Sequence, residues 1–569
     1  VIALTLAALL QMSIVDDLYG RRLLFAEDGR PLVPLGMMQG QTTVVVHGKK
    51  GLVVDVDGTK VQMRGDARLS IAVVDSQPAA VRTLYVVETL EGEARTTKRA
   101  VADRWRERGL EVVVLDTGGV YGVKGTVVDN RAALIASTKP VPATMTDVRP
   151  VPIEWLEQRP TATFVVQVGR RKLRGAWVRI RGERGGAVVV HDVEHDIGYA
   201  AHGFEDRQLR DEVLVVPDKT GRAAVVNIVD ENDMVAGVLP SEMFTSAPME
   251  ALKAQAVTAR GELFAKVGRR HFADPYLVCT EQHCQVYKGL TAEHPRTNEA
   301  ARATAGELAF LDGHVVDSVY SACCGGHSEP VEVVWDRPPR AELRGRPDAL
   351  RVDERGVTWL HPELAAAFFA PGRTETAVEP VVEPAVEVVG SGAPELASVA
   401  STPRVAEVLA TDDDVRAFLA LPRDVAWCGR STMNQKSDAW RWTRRFTREE
   451  LDAAFADLEV GTVQKIVVEE RGPGGRLRAL RVEGSKQIAR VLRELPVRKR
   501  LRNLRSGLFV VDEERDDLGR LLAVVLRGAG FGHGAGMCQQ GAIGMAEAGA
   551  GYRDILRHYY AGAEVKQVF

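Results

Sequence analysis

The sequence predicts an α+β fold: a mainly antiparallel β platform with a few helices, plus a small βαβ-like N-terminal unit and a low-complexity insertion. Three observations predict it. Short Val-rich runs punctuated by glycine recur through roughly the first 230 residues, the rhythm of hairpin-linked strands. Helical periodicity is confined to a few segments between and after those runs. Between Arg373 and Arg404 the composition shifts to Val/Glu/Pro/Ala, with Val-Glu-Pro repeated at 378–380 and 382–384, which marks a linker or exposed insertion.

Taken in order, residues 1–80 hold an apolar segment and a small β unit. The run from Val1 to Leu10 is about half the length needed to span a bilayer as a helix, and it suits a signal h-region, although no basic n-region precedes it and no small-residue cleavage site follows. From Thr42 to Ala72, Gly48, Gly51, Gly58 and Gly65 separate Val-rich strands. Residues 81–150 read as βαβ: a strand at Leu84 to Val87, a charged amphipathic helix at Thr97 to Arg108 and a strand at Leu110 to Leu115. Residues 151–337 begin with strands at Phe164 to Val168, Val178 to Ile180, Val188 to Val190 and Val213 to Val216. A helix from Ala247 to Val267 follows, with Ser246 as its cap and Leu252, Ala256, Ala259 and Leu263 on one face. The insertion with its linker occupies 338–430. In 431–569 a hairpin joins Gln464–Glu469 to Leu477–Val482 across Gly472, Gly474 and Gly475. Strands at Leu508 to Val511 and Leu521 to Leu526 follow, and then a helical tail from Ala546 to Tyr560.

At 569 residues the chain is too long for one ordinary core, so two or more packed units are expected. Lys and Arg number 74 against 77 Asp and Glu, a near balance that gives no electrostatic reason to expect nucleic acid as a partner. The Arg-rich stretch from Arg498 to Arg505 reads as a solvated edge. No later segment reaches the length of a spanning helix, so the body carries no integral membrane span. Six cysteines spread over such a length are not a disulfide scaffold.

Three blocks carry chemistry. The first is Ala236-Gly237-Val238-Leu239-Pro240-Ser241-Glu242-Met243, followed by Glu250-Ala251-Leu252-Lys253-Ala254-Gln255-Ala256-Val257-Thr258-Ala259-Arg260. The second is Tyr320-Ser321-Ala322-Cys323-Cys324-Gly325-Gly326-His327-Ser328-Glu329. The third is Gly532-His533-Gly534-Ala535-Gly536-Met537-Cys538-Gln539-Gln540-Gly541-Ala542, closed by Ile555-Leu556-Arg557-His558-Tyr559-Tyr560. In this order they resemble the stage II sporulation protein D/amidase-enhancer (SpoIID/LytB) family. Departures are Asp233-Met234, where an aromatic-led pair is expected, and Cys323-Cys324, where small hydroxyl residues are usual.

The resemblance implies a lytic transglycosylase acting on peptidoglycan glycan strands that lack stem peptides, or a relative that activates a cell-wall amidase. Glu242 stands at the family's catalytic position. One carboxyl group can protonate the leaving oxygen and then deprotonate the sugar's own 6-hydroxyl, giving a 1,6-anhydro product without a second carboxylate. Lys253 and Arg260 lie two helical turns apart on one face and match positions important in the family; His533, Gln540 and Tyr559 are the other candidate glycan contacts. Solvated helix charges and a packed aromatic are the structural alternatives. The 81–150 unit resembles small wall-binding domains that take denuded glycan. Such roles imply export, to a periplasmic or cell-wall-facing location.

His271, Cys279, His283 and Cys284 offer two imidazoles and two thiols within fourteen positions, a tetrahedral zinc set. Some members of the resembled family carry zinc at a similarly placed His-Cys pair. A closed four-ligand site would be structural. A Cys279–Cys284 disulfide and a second ligand group at Cys323, Cys324 and His327 are competing readings. The run Gly530-Phe531-Gly532-His533-Gly534-Ala535 formally satisfies a dinucleotide-binding pattern, but too few residues follow to build the rest of such a unit.

Overall fold

The computed structural model describes residues 14–20, 23–91, 95–121, 127–137, 150–197, 202–281, 283–335, 337, 339–349 and 405–569. The apolar run at Val1 to Leu10 and the Val/Glu/Pro-rich stretch lie outside the described residues. The fold is α+β with mainly antiparallel sheets, and the chain forms two compact units. One comprises residues 1–319 and 560–569; the other comprises residues 320–559.

In the first unit the strands Thr43–Gly48, Gly51–Val56, Thr59–Arg64 and Ala67–Gln77 follow the glycine rhythm. They do not stand apart as a unit of their own. Gly51–Val56 pairs with Val178–Gly182, and Thr43–Gly48 pairs with Val188–His195, so this segment and the strands beyond residue 160 build the same two sheets. Alternation explains the arrangement: Val44, Val46, Leu69, Ile71, Phe164, Val166, Val188 and Val190 of one sheet meet Leu52, Val54, Val178, Ile180, Val213 and Val215 of the other in one core. Full burial of each such side chain contributes about 1.5–3 kcal/mol. The eleven-residue strand Pro31–Gln41 has no clear sequence signal, because it holds one β-branched residue, Val33, among proline, glycine and methionine. It nevertheless pairs with Ala223–Asp230 on one side and, in parallel, with Val278–Cys279 on the other.

The βαβ reading of 81–150 is refined by a third strand. Ala80–Glu91, the helix Arg95–Glu107 and Val112–Tyr121 follow one another, but Val127–Ala136 inserts between the two outer strands and runs antiparallel to both. Val151–Gln158 completes the sheet on the far side of Ala80–Glu91. By order of occurrence the four strands therefore lie 4-1-3-2, a split βαβ arrangement. Leu90, Ala102, Trp105, Val112, Ala132 and Leu134 form the core between helix and sheet.

The helices that matter for function follow the Ala223–Asp230 strand. Asp230 caps Glu231–Glu242 by accepting from the Asn232 N–H at 2.9 Å. Met249–Lys266 follows, with Pro248 rather than Ser246 at its N-cap, because the fixed proline φ suits entry into the first turn. Pro295–Ala303 packs against both. Among the described residues no helix is long and apolar enough to cross a membrane.

In the second unit, Arg441–Thr447, Leu521–Ala529 and Phe509–Arg515 form one antiparallel sheet, and Val463–Arg471, Leu477–Gly484 and Ile488–Leu492 form another, with Phe446, Phe455, Ile466, Leu480 and Phe509 in their core. The expected hairpin across Gly472 to Gly475 is present. The glycine-rich block does not enter a parallel nucleotide-binding sheet: the strand before it, Leu521–Ala529, has antiparallel neighbours on both sides. The helical tail is two helices, Gln539–Glu547 and Tyr552–Tyr559, broken where Gly549 takes a φ of 92°. The Arg-rich stretch is a helix end and loop whose guanidiniums pair with carboxylates, including Arg500 with Asp457 at 2.6 Å.

Candidate functional site

Glu242 is the last residue of its helix and is half-buried. It precedes Met249–Lys266 by a loop of 243–248, so the helix end nearest to it in sequence is a negative C-terminal one, not the positive start of the next helix. Two links hold that loop. The Ala247 N–H donates to Phe244 O at 2.9 Å, and the Arg296 guanidinium, from the third helix, donates to Thr245 O at 3.0 Å and Ala247 O at 2.7 Å. Phe244 stands 58% exposed beside the carboxyl-bearing position, an apolar ring facing water on a fixed loop.

Lys253, one turn into the next helix, is half-buried and its ammonium pairs with Glu250 at 2.7 Å. Arg260 is different. Its side chain is wholly buried: Nε donates to Glu231 Oε2 at 2.6 Å, and Nη2 to Asn232 Oδ1 at 2.9 Å, while Glu231 Oε1 accepts the Gly306 N–H at 3.0 Å. In this structure Arg260 braces two helices and a following turn instead of presenting a cation at the surface, because the helix face it shares with Lys253 turns inward by the second turn.

His271, Cys279, His283 and Cys284 come together as the spacing suggests, with their donor atoms all within 4.8 Å of one another. His271 Nε2 lies 3.3 Å from Cys284 Sγ, and His283 Nδ1 lies 3.6 Å from Cys284 Sγ and 3.7 Å from Cys279 Sγ. A tetrahedral zinc with its usual N and S bond lengths requires N···S edges of about 3.6 Å. Asp274 Oδ2 sits 2.8 Å from His271 Nδ1 and so aims the other ring nitrogen at the thiols, the orienting carboxylate a metal-binding histidine usually has. Both cysteines are free thiols rather than a disulfide. The donor set and its spacing fit zinc.

His533, Gln540 and Tyr559 belong to the second unit. The His533 ring is half-buried and lies 4.6 Å from that of Trp335, with Nδ1 accepting the Ala535 N–H at 3.1 Å. Burial, then the nearby Arg476 and Arg498 guanidiniums, hold its pKa down to about 3, so the ring is neutral and acts as a hydrogen-bonding group. Gln540 Oε1 accepts from Ser431 Oγ at 2.8 Å. Tyr559 is buried, and its hydroxyl donates to Asp348 Oδ1 at 2.7 Å, which makes it a packed, hydrogen-bonded ring rather than an open stacking surface. Burial pushes its pKa well above the ordinary phenol value.

Of the competing ligand group, Cys323, Cys324 and His327, only Cys324 belongs to a converging donor set. Both His327 ring nitrogens face carbonyl oxygens, of Ser328 at 2.7 Å and Glu407 at 3.0 Å, and are directed away from the thiols. Cys324 instead converges with Asp348, Cys428 and Cys538. Sequence reading missed Asp348 and Cys428 because neither lies in a recognisable block; it missed Glu231 and Arg296 because bracing residues carry no spacing signal.

Comparison with known proteins follows this division. A family profile described as "Stage II sporulation protein" matches residues 219–310, and one described as a domain of unknown function matches 393–536. The chain is 24% identical over 343 residues to an uncharacterized protein of Brachyspira hyodysenteriae, covering 60% of this chain and 68% of that one. It is 30% identical over 138 residues to the stage II sporulation protein D of Bacillus amyloliquefaciens, covering 24% of this chain and 37% of the relative. It is 35% identical over 99 residues to the amidase enhancer of Bacillus subtilis, covering 17% and 13%.

Proposed function

From the premise that this chain belongs to the stage II sporulation protein D/amidase-enhancer family, we propose that it works at the bacterial cell wall by cleaving glycan strands that lack stem peptides, with Glu242 as acid and then base. The observation that carries this reading is the placement of Glu242: a carboxyl group at the end of a capped helix, on a pinned loop beside an exposed aromatic ring, inside the segment the family profile matches. The first step requires the Glu242 carboxyl in its protonated form. That proton passes to the glycosidic oxygen as the bond to the muramic acid C1 breaks. The resulting carboxylate then takes the proton of the sugar's 6-hydroxyl, whose oxygen closes on C1 to give the 1,6-anhydro end. Lys253 supports the reading as a cation one turn into the following helix. Arg260 contributes by fixing the helix that bears Glu242.

His271, Cys279, His283 and Cys284 would hold a zinc ion that clamps the loop after the Met249–Lys266 helix. With four protein ligands the ion would be structural and leave no open position for a reacting water. The split βαβ sheet at 80–158 is the candidate region for anchoring on denuded glycan. Such a function at the cell wall implies an exported, periplasmic or wall-facing protein.

A second reading, activation of a cell-wall amidase by a non-cleaving glycan binder, is favoured by the 35% identity to an amidase enhancer. Digestion of peptide-free glycan strands by wild type and Glu242→Gln, with mass spectrometry of the products, separates the two. Anhydro-ended fragments from wild type and not from the variant support cleavage. Intact strands in both, with strand binding and a faster partner amidase, would replace the first reading by the second.

A further inference from the structure

The second unit contains a polar cluster that neither glycan cleavage nor the histidine-cysteine set uses. Cys324, Cys428 and Cys538 are each 0% exposed and Asp348 is 1% exposed, yet one donor atom from each of the four lies within 4.8 Å of all the others. Burying a carboxylate and three polarisable thiols side by side is costly unless something compensates them. The spacings indicate what does. Cys324 Sγ is 3.7 Å from Cys428 Sγ and 3.2 Å from Asp348 Oδ2. A tetrahedral zinc with usual bond lengths requires S···S edges of about 3.8 Å and S···O edges of about 3.5 Å.

From this geometry we infer that Cys324, Asp348, Cys428 and Cys538 form a second, structural metal centre for zinc or a similar thiophilic divalent ion. The surroundings are those of thiolates. Cys538 caps the nine-residue helix Gln539–Glu547, its Sγ accepting the Gly541 N–H at 3.3 Å and the Cys324 N–H at 3.1 Å; Cys324 Sγ accepts the Gly326 N–H at 3.4 Å. Asp348 is oriented from outside: the Cys428 N–H donates to Oδ2 at 3.2 Å and the Tyr559 hydroxyl to Oδ1 at 2.7 Å, leaving Oδ2 aimed at the sulfurs. Three thiolates and a carboxylate exceed the charge of a divalent ion by two. Two guanidiniums flank the Cys324 segment to offset it, the half-buried Arg441 donating to Gly325 O at 2.8 Å and the wholly buried Arg476 to Cys324 O at 2.8 Å.

Disulfides account for less: all four thiols of this region, Cys323 included, are free, and even two bonds among them would leave the Asp348 carboxylate buried without a counter-charge. Thiolate ligands also argue against calcium or magnesium. On binding, zinc displaces the protons of the three thiols and forms three Zn–S bonds and one Zn–O bond, so no oxidant enters. Cys324 and Cys538 are 214 positions apart and Asp348 and Cys428 are 80 apart, so the ion fastens remote stretches of the second unit, including the two sides of the segment between 350 and 404. Cys323, also 0% exposed, lies next to the set as a fourth thiol.

Metal content of the full chain, measured by plasma mass spectrometry, tests the inference. Wild type should carry two zinc ions per chain, and Cys279→Ser/Cys284→Ser, which dismantles the histidine-cysteine set, should keep one. Cobalt loaded into that double variant should give intense thiolate-to-cobalt charge-transfer absorption, and addition of Cys428→Ser should abolish it. Should the double variant not fold, Asp348→Asn in an otherwise wild-type chain keeps the side-chain size and should lower the count by one. No zinc left in the double variant, a count unchanged by Asp348→Asn, or an intact mass about 2 Da low from a Cys324–Cys428 disulfide would each overturn it.

Discussion

Arg260 Nε meets Glu231 Oε2 at 2.6 Å with both side chains sealed from water, 0% and 2% exposed. The pair joins the start of the helix that ends in Glu242 to the middle of the helix that follows. Removing one partner leaves the other charge buried without compensation, which typically costs about 3–5 kcal/mol. Arg260→Ala should therefore lower the unfolding free energy by about that amount in urea titration, and lose activity as a consequence. Full stability with lost cleavage would show instead that the cation acts on the glycan.

Lys253 should behave in the opposite way. Its bond to Glu250 is a half-exposed i,i+3 pair, of a kind worth about 0.2–0.5 kcal/mol. Lys253→Ala should leave the melting transition nearly unchanged. If the ammonium serves a glycan oxygen, strand cleavage should fall by about 10- to 100-fold, the worth of one charge-assisted hydrogen bond. Unfolding and digestion measured on the same preparation settle the assignment.

What the sequence discloses depends on whether the determinant is local. Val44, Val46, Phe164 and Val166 announce their strands because alternation and a bounding glycine are short-range signals. The proximity of His271, Cys279, His283 and Cys284 was legible because all four donors sit within one short stretch of chain. The partner of a strand remote in sequence was not: Gly51–Val56 finds Val178–Gly182 across more than a hundred residues, and nothing local encodes that register. Asp348 and Cys428 were hidden for the same reason, since they gain meaning only beside Cys324 and Cys538. The burial of Arg260 against Glu231 was not legible, because helical spacing says which residues share a face and not whether that face is buried.

Gly541 probes the Asp348–Tyr559 contact from a third side. A methyl group added there would fall 1.9 Å from the Tyr559 hydroxyl oxygen and 2.8 Å from Asp348 Oδ2. Alanine gains about 1 kcal/mol of helix propensity over glycine, but overpacking at a site this tight costs about 1–3 kcal/mol. The clash should win, so Gly541→Ala should lower the melting temperature. Adding Tyr559→Phe removes the obstructing oxygen and should recover part of the loss, a non-additivity readable in a double-mutant cycle. Strict additivity would mean that the two groups do not touch.

Glu329 should give the second unit a measurable pH dependence. The carboxyl is wholly buried and accepts the Gly474 and Arg476 N–H groups, each at 3.1 Å. Burial first, with Glu494 adding to it and Arg476 opposing it, pushes its pKa up to about 7 from an ordinary 4.5. The folded state thus holds this proton more tightly than the unfolded chain. Its contribution is complete below about pH 4.5 and is lost as pH rises through about 7, a span of roughly 3 kcal/mol at most. Wild-type stability should therefore fall between pH 5 and pH 8. Glu329→Gln cannot titrate, and its amide N–H₂ faces a backbone N–H, so it should be less stable than wild type at pH 5. That gap should narrow toward pH 8, where the wild-type chain carries a buried carboxylate. Denaturant titrations of both proteins across that range would show converging curves; parallel slopes would place the titrating group elsewhere.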